Sequence, residues 1–130
     1  MFLSAMGCIS VRMHDYRRLR VYDMAIDITS ETYRLTKMLP RSERFGLVQQ
    51  MNRASVSIAS NIAEGAGRGD SRDFARFLRI ARGSACELEA QATMATRVGV
   101  MDGESAQALR NHLEQLKASL TNLERQLSSP

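Results

Sequence analysis

The fold is decided by residues 45–89, which read FGLVQQMNRASVSIASNIAEGAGRGDSRDFARFLRIARGSACELE. Glycines at 65, 67 and 69 separate two segments in which apolar residues recur at three- and four-residue steps, the pattern of an amphipathic helix. The first segment carries Leu47, Met51, Ala54, Ile58 and Ile62, and the second carries Phe74, Phe77, Leu78, Ala81, Ala85 and Leu88. The stretch therefore predicts a hairpin of two helices with an apolar inner face.

The outer face of the second helix is rich in arginine. At roughly 100° per residue, its arginines fall within about a third of the helix circumference. With two arginines from the preceding segment they form the candidate nucleic-acid-binding set: Arg53, Arg68, Arg72, Arg76, Arg79 and Arg82. The chain has 18 Lys and Arg residues and a net charge of +4, and Lys37 and Lys117 are its only lysines. Arginine suits phosphate and carboxylate partners alike, so composition does not choose between nucleic acid and protein.

The glycines between the two helices resemble a phosphate-binding loop only superficially. The spacing lacks the lysine of a P-loop and follows a helix instead of a strand. We therefore assign structural roles here to Asn61, Glu64, Gly65 and Gly67, and expect Gly65, Gly67 and Gly69 to serve as cap and turn glycines able to adopt positive φ. Asp70 is predicted to cap the following helix through a capping box with Asp73. Mid-helix Gly83 predicts a close helix crossing.

A carboxylate near the C-terminus of a helix, such as Glu64, is disfavoured by the helix dipole. We expect a specific donor to hold it, either an arginine of the third helix or a backbone amide. A catalytic role for Glu64 is the less favoured alternative, since no histidine, lysine or second carboxylate stands beside it in sequence.

Two further helices complete the prediction, giving helices near 16–39, 43–65, 71–99 and 104–127. Their seams repeat at alternating four- and three-residue steps, as in helical bundles. The first seam is Val21, Ala25, Ile28, Thr32, Leu35 and Leu39, and the last is Leu109, Leu113, Leu116, Leu120, Leu123 and Leu127. Asp23, Asp27 and Glu31 form an acidic patch on the first helix, either to meet arginines from elsewhere or as a solvated face.

Ser42 is predicted to cap the second helix. Arg41 and Arg44 then lie beside the positive end of that helix, an unfavourable placement. Two explanations remain open: a carboxylate of this chain or of a second subunit, which we favour, or an anionic partner.

The remaining features favour a cytoplasmic, non-enzymatic protein. Residues 1–15 are interpreted as a disordered tail and residues 16–127 as the bundle domain, with Met13 as an alternative start to Met1. Two cysteines form no disulfide framework, and Cys86 is expected to be a small packed residue. No membrane span, metal spacing or cofactor motif is apparent, and no nucleophile–base pair or paired acids can be placed together. We therefore predict no catalytic residues, no metal and no cofactor.

Several blocks resemble a bacterial four-helix-bundle family encoded within intervening sequences of 23S ribosomal RNA genes. They are residues 16–22 (YRRLRVY), 39–40 (LP), 43–47 (ERFGL), 56–58 (VSI), 60–65 (SNIAEG), 73–84 (DFARFLRIARGS) and 87–89 (ELE). The resemblance covers about residues 14–127. Many members of the family have proline where this chain has Ala59, so the resemblance does not decide whether the second helix is kinked.

The resemblance implies an antiparallel up-down bundle that assembles into a homopentameric ring without enzymatic activity. Related proteins are accessory variability determinants of retroelements, thought to bind nucleic acid and a reverse transcriptase through a basic surface. We accordingly expect a basic accessory factor that binds RNA or DNA without sequence specificity, since no recognised nucleic-acid motif is present and the expected exposed aromatics are too few for a stacking platform. The alternative is a structural scaffold whose arginines form ion pairs between helices and subunits.

Overall fold

The computed structural model describes residues 15–128 as an all-helical fold. Within that range there are four α-helices and no strand: α1 (Arg20–Thr36), α2 (Gln49–Ala66), α3 (Ser71–Arg97) and α4 (Gly103–Ser128). Helix α2 packs against α1 and α3, while α4 packs against α3 and α1. The all-α prediction is confirmed. Of the predicted tail, only Asp15 lies among the described residues, where it caps a 3-10 turn at Tyr16–Arg18. Met13 and Cys8 lie outside them.

The predicted seams form the core. On α4, four seam leucines are fully buried, and Leu123 and Leu127 pack partly buried against the same cluster. All six predicted seam residues of the first helix are buried, including Leu39, which lies beyond the end of α1. Burying a leucine-sized side chain contributes roughly 1.5–3 kcal/mol, and the heptad-like pattern correctly identified many of the side chains that do so.

Helix α2 begins at Gln49, six residues later than predicted. Ser42 does not cap it but lies in a 3-10 turn at Arg41–Glu43, which is followed by a wide, π-helical turn at Arg44–Val48. Gly46 has φ −106° and ψ −110°, outside helical geometry, and the Glu43 carboxylate accepts a 3.4 Å hydrogen bond from the Leu47 amide. Helix α1 likewise ends early, at Thr36, ahead of Pro40. Helix α2 itself is continuous from Gln49 to Ala66.

The turn between α2 and α3 differs in detail from the prediction. Only Gly69 has positive φ, at 74°, while Gly67 keeps a helical φ of −79° as the C-cap of α2. The Asp70 carboxylate accepts a 2.9 Å hydrogen bond from the Asp73 amide, which confirms Asp70 as the N-cap of α3.

Gly65 lies inside α2, where a side chain would not fit. A Cβ atom added there would lie 2.7 Å from Phe77 Cβ and 3.0 Å from Phe74 Cδ1. The missing side chain lets the last turn of α2 approach the first turns of α3, so Gly65 is a packing glycine and not a turn glycine.

Gly83, unlike Gly65, has room for a side chain. It is exposed, and an added Cβ would meet no atom within 4 Å. The predicted close helix crossing at Gly83 is therefore wrong within this protomer.

Helices α3 and α4 are joined by a partly buried ion-pair cluster. Lys117 Nζ lies 2.7 Å from carboxylate oxygens of both Glu89 and Glu114. Hydrogen bonds to Glu114 and Glu89 raise the pKa of Lys117 well above its usual value, whereas burial raises the pKa of Glu89. The contact between Lys117 and Glu89 thus joins α3 and α4 through opposite charges.

In residues 15–128, no helix combines the length and apolar character needed to cross a bilayer.

We predict that Gly65→Ala destabilises the protein by about 1–3 kcal/mol, because the added methyl group would overpack the contact with Phe77 and Phe74. Denaturant unfolding monitored by circular dichroism, at fixed protein concentration, measures this change. Gly83→Ala is the matched control, and its better helix propensity is expected to stabilise by up to about 1 kcal/mol. Equal stability of Gly65→Ala and wild type would contradict the packing role assigned to Gly65.

Candidate nucleic-acid interface

Three of the six candidate arginines already have carboxylate partners. Arg68 bridges Glu64 at 3.2 Å and Asp73 at 3.3 Å, and Arg76 lies 3.4 Å from the other oxygen of Asp73. The hydrogen bond from Arg68 is the main reason that the pKa of Asp73 lies below its usual value. The positive charge at this end of α3 is therefore partly neutralised.

The ring of Phe77 lies beneath the same two guanidinium groups. The guanidinium carbons of Arg76 and Arg68 lie 4.5 Å and 5.3 Å from its centroid, within cation–π range. Phe77 was predicted to lie on the inner face but is only partly buried. It joins the apolar contact at Gly65 to the charged surface above it.

Arg82 forms an ion pair with Glu124 of α4. Its Nε lies 3.0 Å from Glu124 Oε2, and its terminal nitrogen donates a 3.1 Å hydrogen bond to Glu124 Oε1. The Glu124 side chain is only 13% exposed. Because loss of Arg82 would leave the mostly buried Glu124 carboxylate uncompensated, Arg82 has a structural role in the bundle.

The other three candidates, Arg53, Arg72 and Arg79, are exposed. None of them forms an ion pair with another residue of the described chain. Arg79 was expected to share a carboxylate across helices or subunits, and no carboxylate among residues 15–128 forms an ion pair with it. The outer face of α3 thus offers Arg72 and Arg79 as free cations.

The predicted structural residues connect α2 to its surroundings. The Asn61 amide donates to Ser57 O at 2.8 Å and to Ser57 Oγ at 3.0 Å, and Ser57 Oγ lies 2.8 Å from Ser84 Oγ on α3. Glu64 is held by an arginine, as predicted, but by Arg68 of the turn and not by an arginine of the third helix.

The acidic patch of α1 meets no arginine among residues 15–128. Glu31 contacts His112 Nδ1 of α4 at 2.8 Å, and Asp23 and Asp27 form no ion pair within the described part of the chain.

Cys86 is exposed, so its predicted packed position is wrong. No cluster of His, Cys, Asp or Glu in the described chain has the geometry of a metal site.

Sequence reasoning missed Asp73 as the centre of the charged network. Its partners Arg68 and Arg76 lie five residues before it and three after it, on opposite sides of a helix start. The i,i+3 spacing of Asp73 and Arg76 was a usable signal. The contact with Arg68 depends on the path of the turn and had no signal in the spacing.

Comparison with known proteins supports one family. The chain is similar in structure to a protein of unknown function from the S23 ribosomal protein family of Bacteroides thetaiotaomicron, with a TM-score of 0.75 and 24% identity. That similarity covers 81% of this chain and 98% of the other, and it supports the fold alone. No curated protein is significantly similar in sequence. The family model described as 23S rRNA-intervening sequence protein matches residues 17–122. The chain belongs to the 23S rRNA-intervening sequence protein family.

Proposed function

We propose that this chain is a non-enzymatic, oligomeric accessory protein that binds nucleic acid through exposed arginines. The observation that carries the proposal is the set Arg53, Arg72 and Arg79, which are exposed and lack ion-pair partners in the described chain. A cation without a carboxylate partner remains available to a phosphate, whereas a paired one must first give up its partner. The family membership supports a setting related to ribosomal RNA genes.

Binding of this kind would be indifferent to sequence. The free cations project from the surfaces of two helices, where they would contact phosphates, and phosphate contacts carry no base information. A reverse transcriptase is a further candidate partner through the family resemblance, and we expect the protein to be cytoplasmic.

An antiparallel up-down protomer is part of the proposal. On α1 and α2, Thr29 contacts Ser55 while Thr36 contacts Asn52, so the contacts run in opposite directions along the two helices. On α3 and α4, Arg82 meets Glu124 while Glu89 meets Lys117. In both helix pairs, residues later in one helix contact residues earlier in the other, which supports an antiparallel arrangement of each pair.

We further propose that the protomers form a closed ring, with five copies as the family resemblance implies. Ile26 and Met94 lie off the core seams and are exposed, while Met24 and Val48 are partly buried against the core. Exposed apolar side chains of this kind are typical of subunit contacts when they are contiguous.

A structural scaffold is the second candidate, and one observation favours it. Arg68, Arg76 and Arg82 are used inside the protomer, two in a surface network and one against α4. If Arg53, Arg72 and Arg79 were similarly paired across subunits, none of the six candidate arginines would remain available to a phosphate.

We predict that Arg72→Gln combined with Arg79→Gln makes the negative slope of log affinity against log salt shallower by about 1.4 for single-stranded RNA. Each lost phosphate contact reduces the magnitude of this slope by roughly 0.7. Fluorescence anisotropy across a salt series measures the slope, and light scattering should give an unchanged mass.

The control is Arg68→Gln combined with Arg76→Gln, which removes the same charge from partly neutralised positions. We expect this variant to change the salt slope of RNA binding less than the Arg72/Arg79 variant does. Loss of the oligomer in the Arg72/Arg79 variant would favour the scaffold. Equal slopes for both double variants would show that pairing within the protomer does not decide which arginines bind.

We predict a particle of about five times the protomer mass of 14.5 kDa at micromolar concentration. Native mass spectrometry or multi-angle light scattering gives this number directly. Ile26→Glu is expected to lower the mass if this face lies between subunits, because it would place an unpaired charge in an apolar contact. A monomeric wild-type protein would refute the ring.

A further inference from the structure

The last turn of α1 and the connection from α1 to α2 together carry a net positive charge. Residues 34–48 contain four cations, Arg34, Lys37, Arg41 and Arg44, and one carboxylate, Glu43. Their net charge is +3, against +4 for the whole chain of 130 residues. We call these four cations, together with Met38 and Phe45, the connecting surface.

The cations of the connecting surface are not neutralised by the rest of the described chain. All four are exposed, and none forms an ion pair with residues 15–128. Glu43, the one nearby carboxylate in sequence, instead accepts the Leu47 amide. The explanation favoured from sequence for Arg41 and Arg44 was a carboxylate of the same chain or of a second subunit. No carboxylate among residues 15–128 forms an ion pair with either arginine, so a second subunit or another anionic partner stays as the prediction.

The connecting surface also holds the two most exposed large apolar side chains among the described residues. Met38 is 71% exposed and Phe45 is 79% exposed. Burial of a phenylalanine ring would contribute roughly 1.5–3 kcal/mol, so leaving it in water brings the fold no benefit. The guanidinium of Arg44 lies 5.3 Å from the ring centroid, a position from which it can contact a phosphate beside the ring.

We propose that the connecting surface binds a single-stranded segment of nucleic acid, with one base stacked on Phe45 and neighbouring phosphates held by Arg41 and Arg44. The sequence indicated too few exposed aromatics for a stacking platform, but Phe45 is 79% exposed. An exposed aromatic ring among arginines supplies both elements of single-strand recognition, a stacking platform and backbone charge. A duplex keeps its base faces stacked internally and would use only the cations. The inference rests on the proposed nucleic-acid binding and adds its mode and place.

A membrane surface is the less suitable partner. Binding to a bilayer interface usually requires an amphipathic helix with a continuous apolar face. Here two apolar side chains protrude from a connection made of short turns. Three of the four cations are arginines, whose planar fork fits phosphate oxygens in pairs.

The test compares Phe45→Leu with Phe45→Trp in the full-length protein, using anisotropy with a labelled single-stranded oligonucleotide and with its duplex. Leucine keeps apolar bulk but has no aromatic face. We expect Phe45→Leu to weaken single-strand binding by about 10-fold, within the range for loss of one base stack, and to leave duplex binding unchanged. Phe45→Trp should bind the single strand at least as well as wild type. Tyr33→Leu, at an exposed aromatic of α1, is the control and should change neither affinity.

Other outcomes overturn the inference in recognisable ways. If wild type binds and Phe45→Leu binds single strands equally well, Phe45 is not a stacking platform, although the proposed function stands. If wild type binds neither nucleic acid at low salt, the proposed function fails as well. A lower oligomer mass for Phe45→Leu would assign Phe45 to a subunit contact. Phe45-dependent capture by phosphatidylserine vesicles, with no preference for single strands, would assign the surface to membranes.

Discussion

The close approach of α2 and α3 at Gly65 is the constraint on which the described surface depends. Without a side chain at this position, the last turn of α2 lies directly against Phe74 and Phe77. Phe77 in turn supports the guanidinium groups of Arg68 and Arg76. The close contact at Gly65 therefore lies directly beneath the place where Arg68 meets Asp73. The hydrogen-bonded chain from Asn61 through Ser57 to Ser84 holds the same two helices together further along.

The charges of the protein fall into two kinds. In one kind, cation and carboxylate face each other, as at Lys117 with Glu89 and at Arg82 with Glu124. These pairs join helices, and removing one partner would leave a mostly buried charge uncompensated. In the other kind, the cation faces water, as at Arg72 and Arg79 and on the connecting surface. Net charge alone would not reveal this division, because a total of +4 is modest for 130 residues. The positions of the carboxylates reveal it.

The sequence was sufficient to predict the buried faces of those helices in which apolar residues repeat regularly. The leucines of α4 and the seam of α1 repeat over several turns, so burial of those residues follows from spacing alone. The cap at Asp70 was likewise predictable, because it depends on residues three apart. The start of α2 was not, since Glu43 and Gly46 produce a wide turn in a segment that otherwise has helical apolar spacing. Gly65 was predicted to be a cap or turn glycine and Gly83 to lie at a close helix crossing. Only the position of the neighbouring helix shows that Gly65 is the packing glycine and Gly83 the exposed one. The exposure of Cys86 was missed because its packing was predicted from the general burial of free cysteines, although its position four residues after Arg82 places it on the arginine-rich face of α3.

Hydrogen–deuterium exchange of the full-length protein, with and without a single-stranded RNA, tests whether free positive charge, and not total positive charge, marks the binding surface. We expect slower exchange on RNA addition in peptides covering residues 41–48, where amides lie in short, exposed turns, or in the peptides of α3 that contain Arg72 and Arg79. Little change is expected in peptides of α4 that contain Lys117 and Glu124, whose charges are already paired. Protection confined to α4, or binding without protection at either set of unpaired cations, would contradict this interpretation.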